Sequence, residues 1–310
     1  QELWRSDGTA PGTYRVKDLW AGPDWGLPDL EHSAVVGDTL YFSANDGQSG
    51  RELWKTDGTE AGTVRVRDIN PDGNYSDPRS FKVFGDGLYF VADDGQHGRT
   101  LWKSDGTADG TVLVKEVFPR EGGWYQRGAN PEFTELGGRL FFVANDGQTP
   151  LELWQTDGTQ AGTHSVKDNP DAGIDPQGLQ VADNELYFSA WDPDHGRELW
   201  KSDGTADGTV LVRDVNPNGD GLLPTWGYGR RPTVRTPLGD RLLFAANDGQ
   251  TGLELWSTDG TETGTVQVKD LTAPSDPYSW SDPQQLVVAD GQLYFSAWDP
   301  DHGRDLWRSD

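Results

Sequence analysis

The stretch 51–66, RELWKTDGTEAGTVRV, returns along the whole chain, and its spacing limits the fold more than any other feature. Its tryptophans fall at Trp4, Trp54, Trp102, Trp154, Trp200, Trp256 and Trp307, separated by 50, 48, 52, 46, 56 and 51 residues. Self-similarity at that period marks an array in which one supersecondary unit stacks on copies of itself. Each period holds four strand-like runs. In the second they are 80–85 (SFKVFG), 88–93 (LYFVAD), 100–105 (TLWKSD) and 111–116 (TVLVKE), named a to d in chain order. Run d alternates Val64 and Val66 with Arg65 and Arg67, the period of a half-exposed strand. Runs b and c are bulky on both faces, as strands sandwiched between neighbouring sheets are. Gly or Pro interrupts every stretch that could hold a helical apolar period.

The connections divide into fixed and variable ones. From the Phe of b to the Trp of c is always 12 residues, and from that Trp to the Thr opening d is 9. Only the d-to-a segment changes: from the acidic residue ending d to the next Phe is 24, 22, 26, 20, 30 and 25 residues. Four antiparallel strands followed by a long link are the blade of a β-propeller. Six copies of a, b and d predict an all-β, six-bladed propeller filling residues 1–310 as one domain. Residues 1–18 and 284–310 then share the closing blade. Run c has a seventh copy, so one of 1–7 and 304–310 is surplus. The N-terminal copy is the expected occupant, because its hairpin to d is intact.

Composition agrees and removes several function classes. Gly 40, Pro 19 and Trp 14 fit many turns between short aromatic strands. A net charge of −25 argues against nucleic acid as a partner, since phosphate binding needs a basic face. There is no Cys, hence no disulfide framework or thiol catalysis, and no apolar run long enough for a membrane helix. The absence of Met and the start at Gln1 are read as a processed or excised part of a larger polypeptide.

The segments ELWRSDGTAPGT, ELWKTDGTEAGT, LWKSDGTADGT, ELWQTDGTQAGT, ELWKSDGTADGT and ELWSTDGTETGT resemble the ELWxxDGT repeat of secreted and surface proteins of bacteria. The resemblance covers the whole chain and implies an extracellular propeller-type module, with no activity common to the family. The turn differs from the sialidase Asp-box, because here Trp precedes Asp and Asp-Gly is contiguous.

The recurring Asp-Gly-Thr reads as a c–d turn in which Asp accepts from downstream amides and Gly takes positive φ. Its Trp reads as packing between blades. The b–c loops each carry an Asp, and the two WDPDH copies offer Asp192 with Asp194 and Asp299 with Asp301 as candidate hard-oxygen ligands for calcium. No other cofactor is expected. By chain direction the b–c and d–a loops leave one end of the blades, so length variation gathers there. The d–a segments hold Trp20, Trp25, Trp124, Tyr125, Arg127, Trp226, Tyr228, Arg230, Arg231, Tyr278 and Trp280. Rings beside guanidinium and amide groups suit a sugar, whose C–H face stacks while its hydroxyls are hydrogen-bonded. The leading expectation is therefore a binding or display module taking a glycan or protein ligand. A polysaccharide-cleaving enzyme using the loop carboxylates Asp24, Glu121 and Asp175, which break the repeat's symmetry, is the second. A structural spacer or protein-interaction module is the third. No nucleophile elbow, phosphate loop or metal-binding His pair is present.

Overall fold

The computed structural model describes residues 2–20, 30, 32–71, 75–117, 131–147, 151–167, 174–222, 235–272 and 280–310. Its strands run in chain order as β1 (Leu3–Arg5), β2 (Tyr14–Lys17), β3 (Ser33–Val36), β4 (Thr39–Asn45), β5 (Arg51–Thr56) and β6 (Val64–Arg67). Then come β7 (Arg79–Phe84), β8 (Gly87–Asp93), β9 (Arg99–Ser104), β10 (Val112–Lys115), β11 (Thr134–Leu136), β12 (Arg139–Ala144), β13 (Glu152–Thr156) and β14 (His164–Ser165). The rest are β15 (Gln177–Ala182), β16 (Glu185–Asp192), β17 (Gly196–Ser202), β18 (Val210–Arg213), β19 (Arg235–Leu238), β20 (Arg241–Asn247), β21 (Leu253–Thr258) and β22 (Val266–Lys269). The chain ends with β23 (Gln284–Ala289), β24 (Gln292–Asp299) and β25 (Gly303–Ser309). They form five four-stranded sheets, β3–β6, β7–β10, β11–β14, β15–β18 and β19–β22, with the pair β1–β2 and the trio β23–β25. The strands expected in the second repeat are β7 to β10. This is an all-β, propeller-like array of antiparallel blades.

The chain divides into two compact units, Gln1–Phe133 with Ala144–Gln148 and Thr156–His164, and Thr134–Val143 with Thr149–Gln155 and Ser165–Asp310. The pairing of the seventh c copy differs from expectation. β25 holds seven consecutive pairs with β24, from Leu293↔Ser309 to Asp299↔Gly303, while β1 pairs with β2 in a sheet of its own. The C-terminal copy thus takes the c position beside β24. A turn of three residues closes that hairpin, and a short loop costs far less closure entropy than recruiting a strand from the other end of the chain.

The turn between c and d is a set of nested hydrogen bonds. In the β9–β10 copy the Asp105 carboxylate accepts the Thr107 N–H at 2.8 Å and its hydroxyl at 2.7 Å. Thr107 Oγ1 accepts the Gly110 N–H at 2.9 Å, and Thr111 donates back to the Thr107 carbonyl. The hydroxyl of Thr107, with its N–H, holds the Asp105 carboxyl below the usual range. A methyl on Gly110 would overlap that carboxylate, so the second Gly of DGTxxG is there to leave it room.

Within each unit, blades pack by one repeated contact. The first Gly of the turn has positive φ and, in four copies, also receives an aromatic ring from the preceding blade. Tyr41 lies against Gly106 and Tyr89 against Gly158 in the first unit, as Phe141 lies against Gly204 and Tyr187 against Gly260 in the second. Lys55 and Lys103 donate to the carbonyls of those same glycines, Gly106 and Gly158, both at 2.8 Å. The next Trp is then covered by a cation from the preceding outer strand. Arg67 stands over Trp102 at 6.0 Å, Lys167 over Trp200 at 5.8 Å and Arg213 over Trp256 at 5.9 Å. These tryptophans are buried together with Phe90, Phe188 and Phe244 of the b strands. Truncating one such ring to Ala costs about 3–5 kcal/mol. In run d only alternate positions point inward, as Val66, Val114 and Val212 are buried while Val64 and Val210 are exposed.

The turn geometry makes a coupled prediction. Gly110→Ala should destabilise the chain by about 2 kcal/mol, because the new methyl displaces the Asp105 carboxylate from Thr107. In an Asp105→Ala background the same change should cost less than about 1 kcal/mol, the clash being gone. Denaturant midpoints of the four proteins of this cycle measure it, and additive costs would contradict it.

Candidate functional site

The d–a segments differ in length, yet most are held at their bases by one recurring group: the Glu two residues before the c-strand Trp in five of its seven copies. Strand c is sandwiched, so this side chain enters a closed environment, and Glu52, Glu152, Glu198 and Glu254 are fully buried. A buried carboxylate must be matched by donors; for Glu52 and Glu254 these come from both ends of the following segment, and for the others from its first residues or from strand d. Glu52 accepts the Ile69 N–H at 2.8 Å and the Ser76 hydroxyl at 2.7 Å. Glu254 accepts the Leu271 N–H at 3.3 Å, the Thr272 hydroxyl at 3.1 Å and the Ser281 hydroxyl at 2.6 Å. Glu198 accepts the N–H groups of Asn216 and Gly221 at 3.1 and 2.9 Å. Glu2 accepts the Leu19 N–H at 2.9 Å, and Glu152 accepts the Ser165 hydroxyl at 2.6 Å. In β9, Thr100 replaces Glu and turns its hydroxyl to Ala92 O and Trp102 Nε1.

The segments are fastened a second time, at the far end in three of them and at Gly221–Leu222 partway along the longest. The N–H groups of Ser76 and Asp77 donate to the Arg51 carbonyl, Asp175 N–H to Leu151 O, Gly221 and Leu222 N–H to Arg197 O, and Asp282 N–H to Leu253 O. Three of these ends carry the motif Asp-Pro: Asp77, Asp175 and Asp282, all at positive φ. Each takes an Arg from the start of a c strand. Arg197 reaches Asp175 at 2.6 Å and Arg304 reaches Asp282 at 2.8 Å. Asp77 is gripped by Arg51 at 3.1 Å, Arg99 at 2.9 Å and Arg79. Burial raises its carboxyl, but the three guanidiniums outweigh this and hold it below the usual range.

Asp175, expected to break the repeat's symmetry as a loop carboxylate, therefore obeys it, and its charge is spent on Arg197 and on the Gln177 amide. The clasping glutamates are the functional residues that sequence reading passed over as part of ELW. Their signal was a charged residue recurring inside a strand that is otherwise bulky and apolar.

The candidate ligand-binding residues divide sharply. Trp20 is half-buried, and its ring sits against Gly47, where a Cβ would come within 2.7 Å of it, so it fastens its segment to a b–c loop. Trp280 is 41% exposed immediately before the Ser281–Asp282 anchor. Tyr75 holds the same place before Ser76–Asp77, 58% exposed with Arg51 5.9 Å from its ring. Trp25, Trp124, Tyr125, Arg127, Trp226, Tyr228, Arg230, Arg231 and Tyr278 lie outside the described residues, as do Asp24 and Glu121.

Two of the candidate calcium ligands, Asp192 and Asp299, use their carboxylates inside their own loops. Asp192 accepts the N–H groups of Asp194 and His195, both at 2.8 Å, and meets His195 Nδ1 at 2.9 Å. Asp299 does the same with Asp301, His302 and the His302 ring. Asp46, Asp94 and Asp248 make the equivalent turns. Among the described residues no group of three or more His, Asp or Glu is placed to hold a metal ion. No helix among them is long and apolar enough to cross a membrane.

No family model and no curated protein matches the chain. Among solved structures it is similar to a computationally designed protein, Ika8, at 14% identity and a TM-score of 0.45, over 96% of this chain and 75% of that one. It is similar to a puromycin-hydrolyzing peptidase of Mycobacterium tuberculosis at 17% identity and a TM-score of 0.47, over 90% of this chain and 42% of the peptidase. A prolyl endopeptidase structure is similar at 12% identity and a TM-score of 0.47, over 90% and 40%. The chain spans about two-fifths of the length of these peptidases.

Burial pushes Glu52 up to about 7 and Glu198 up to about 8, in spite of the N–H groups that favour their charged forms, and it raises Glu254 as well. A folded-state value above the unfolded one means that the folded chain holds the proton longer. The stabilisation is complete below about pH 4.5 and is lost as pH rises through about 7 to 8. Glu198→Gln keeps the accepting oxygen without the ionisation. The unfolding free energy of the unsubstituted chain should fall relative to this variant between about pH 5 and pH 8, by on the order of a few kcal/mol, as read from denaturant midpoints. Parallel curves for the two proteins across that range would refute the assignment.

Proposed function

We propose that the chain is a six-bladed propeller module of an exported bacterial protein, its N-terminal and C-terminal pieces counting as one blade, and that it binds a glycan through its d–a segments. The observation that carries this reading is the clasp. A buried carboxylate and a backbone anchor hold the bases of segments whose lengths and side chains vary, an arrangement that separates a constant scaffold from variable contact residues. Exposed aromatic rings, Tyr75 and Trp280, stand directly beside two of those anchors. A ring that is exposed yet fixed at its base loses little entropy on contact with a ligand, and an aromatic face suits the C–H side of a sugar. The resemblance to ELWxxDGT-repeat proteins supports an exported, bacterial setting.

A glycan array together with a reducing-sugar assay tests this. Retention of a polysaccharide without release of reducing ends is expected. Trp280→Ala should weaken retention by about tenfold, the size of one lost stacking contact. Its melting midpoint should stay unchanged because the ring is exposed. Release of reducing ends would show an enzyme instead, and no retention at all would leave only a spacer.

A further inference from the structure

The three Asp-Pro anchors solve one problem with different residues. Asp175 takes Arg197 at 2.6 Å and the Gln177 amide at 2.8 Å. Asp282 takes Arg304 at 2.8 Å and the Gln284 amide at 2.7 Å. Asp77 takes Arg99 at 2.9 Å, in the place of Arg197 and Arg304, but also Arg51 at 3.1 Å and Arg79. Arg79 stands where the other anchors have Gln177 and Gln284, and Arg51 where they have Leu151 and Leu253. The carbonyls of Leu151 and Leu253 still receive the anchor's N–H, as the Arg51 carbonyl does. Two anchors thus close with an amide and a leucine at these places, so the guanidiniums of Arg51 and Arg79 bring charge that the anchor itself does not need.

That charge is open to solvent. The side chains of Arg51 and Arg79 are each 30% exposed and that of Arg99 is 23% exposed. Nε of Arg51 and Nη1 of Arg99 are closed off, so a ligand meets the outer nitrogens of the forks. Each guanidinium gives one nitrogen to Asp77 and has further donors for a second acceptor. Asp93 faces Arg99 across the β8–β9 ladder and accepts the Gly95 N–H at 2.8 Å. Glu52 is buried and turned to Ile69 and Ser76. Three guanidiniums therefore stand with the carboxylates of Asp77 and Asp93, a positive patch in a chain of net charge −25. Tyr75 borders it, 58% exposed, with the Arg51 guanidinium 5.9 Å from its ring.

We propose that Tyr75, Arg51 and Arg79 form a subsite for an acidic sugar, the ring stacking on the pyranose and the two guanidiniums taking its carboxylate or sulfate. That the anion is carried by a sugar rests on the proposed function, whereas the anion itself is called for by the cluster. Arg99 keeps Asp77 in place while the other two turn outward. Selectivity follows from the combination, because a neutral sugar gains only the ring and a free anion only the charges. The charged part weakens as salt screens it.

The test titrates the chain with sodium glucuronate, glucose 6-sulfate, sodium acetate and glucose at ionic strength held constant with sodium chloride, following the heat of binding and the melting midpoint. One or both acidic sugars should bind more tightly than acetate and glucose, and the tighter of the two identifies the anion. Arg79→Gln should weaken that binding about tenfold, the size of one charge-assisted contact. Arg51→Leu combined with Arg79→Gln gives this anchor the residues of the other two. It should melt as the unsubstituted chain does and respond to no anion. Tyr75→Ala removes an exposed ring and should bring the acidic sugars down to the level of acetate. Either single variant carries the test alone if the double one melts early. Acidic sugars bound no better than glucose, or a response that survives the arginine substitutions, overturns the subsite. Acidic sugars bound no better than acetate overturn its assignment to a sugar. Neutral polysaccharides retained on the array without any response to acidic sugars sink this inference and leave the binding module standing. An acidic-sugar response that the arginine variants lose, with no polysaccharide retained, does the reverse.

Discussion

Everything else in this protein depends on the contact that one blade makes with the next. A tyrosine or phenylalanine of strand b is set against the first Gly of the following Asp-Gly-Thr turn. A cation from strand d then covers the following Trp. A single four-stranded sheet has two apolar faces and cannot bury both, so each blade is stable only through its neighbours. The Gly meets two demands at once, since it must adopt positive φ and must also lack a Cβ where the neighbouring ring arrives. This double demand holds at Gly106, Gly158, Gly204 and Gly260, whereas Gly58 faces Arg5 and Gly8 meets no neighbour, so there the positive φ alone calls for Gly.

That dependence explains what the sequence made legible. The a-to-d runs, the Trp packing, the turn role of Asp-Gly-Thr and the Asp of each b–c loop could be read directly, because stacking forces the same solution in every copy. Two features escaped such reading for opposite reasons. The glutamates of ELW were hidden by their regularity, their partners being backbone N–H groups of segments with no common sequence. The partner of Asp175 was hidden by distance, Arg197 lying 22 residues away. Yet the residue types do track each other. Blades with Asp-Pro before strand a carry Arg99, Arg197 or Arg304 at the start of c, while those with Asn130-Pro131 or Arg231-Pro232 carry Leu151 or Leu253 there. The placement of β25 beside β24 was missed because the two c copies are nearly identical, and loop closure rather than side-chain chemistry decides between them.

The clasp also shows how an acidic chain can vary its loops without loosening its blades. A buried Glu that receives both ends of a segment, as Glu52 and Glu254 do, sets where the segment leaves the sheet and where it returns, whatever lies between. Insertion then costs only the slowly growing entropy of a longer loop. The same carboxylates sit in a low-dielectric setting with their ionised form disfavoured, so the fold is more stable where they hold a proton, although the N–H groups they accept from favour the charged form. Structural and electrostatic consequences arise from one choice, a charged residue in an inner strand.

Regularity gives departures their meaning. In a repeat whose copies answer the same packing problem, a residue that solves the problem worse than its counterparts is retained for another reason or tolerated at a cost. Trp20 against Gly47 is a departure that packing explains, since it covers a loop that other blades cover differently. Thr100 in place of Glu is another, because its hydroxyl satisfies the Trp102 indole that Trp54, Trp154, Trp200 and Trp256 leave without a partner. Arg235 finds no such explanation among the described residues. It adds a charge beside Arg197 and leaves two donors sealed and empty where Phe81, Leu179 and Leu286 fill space.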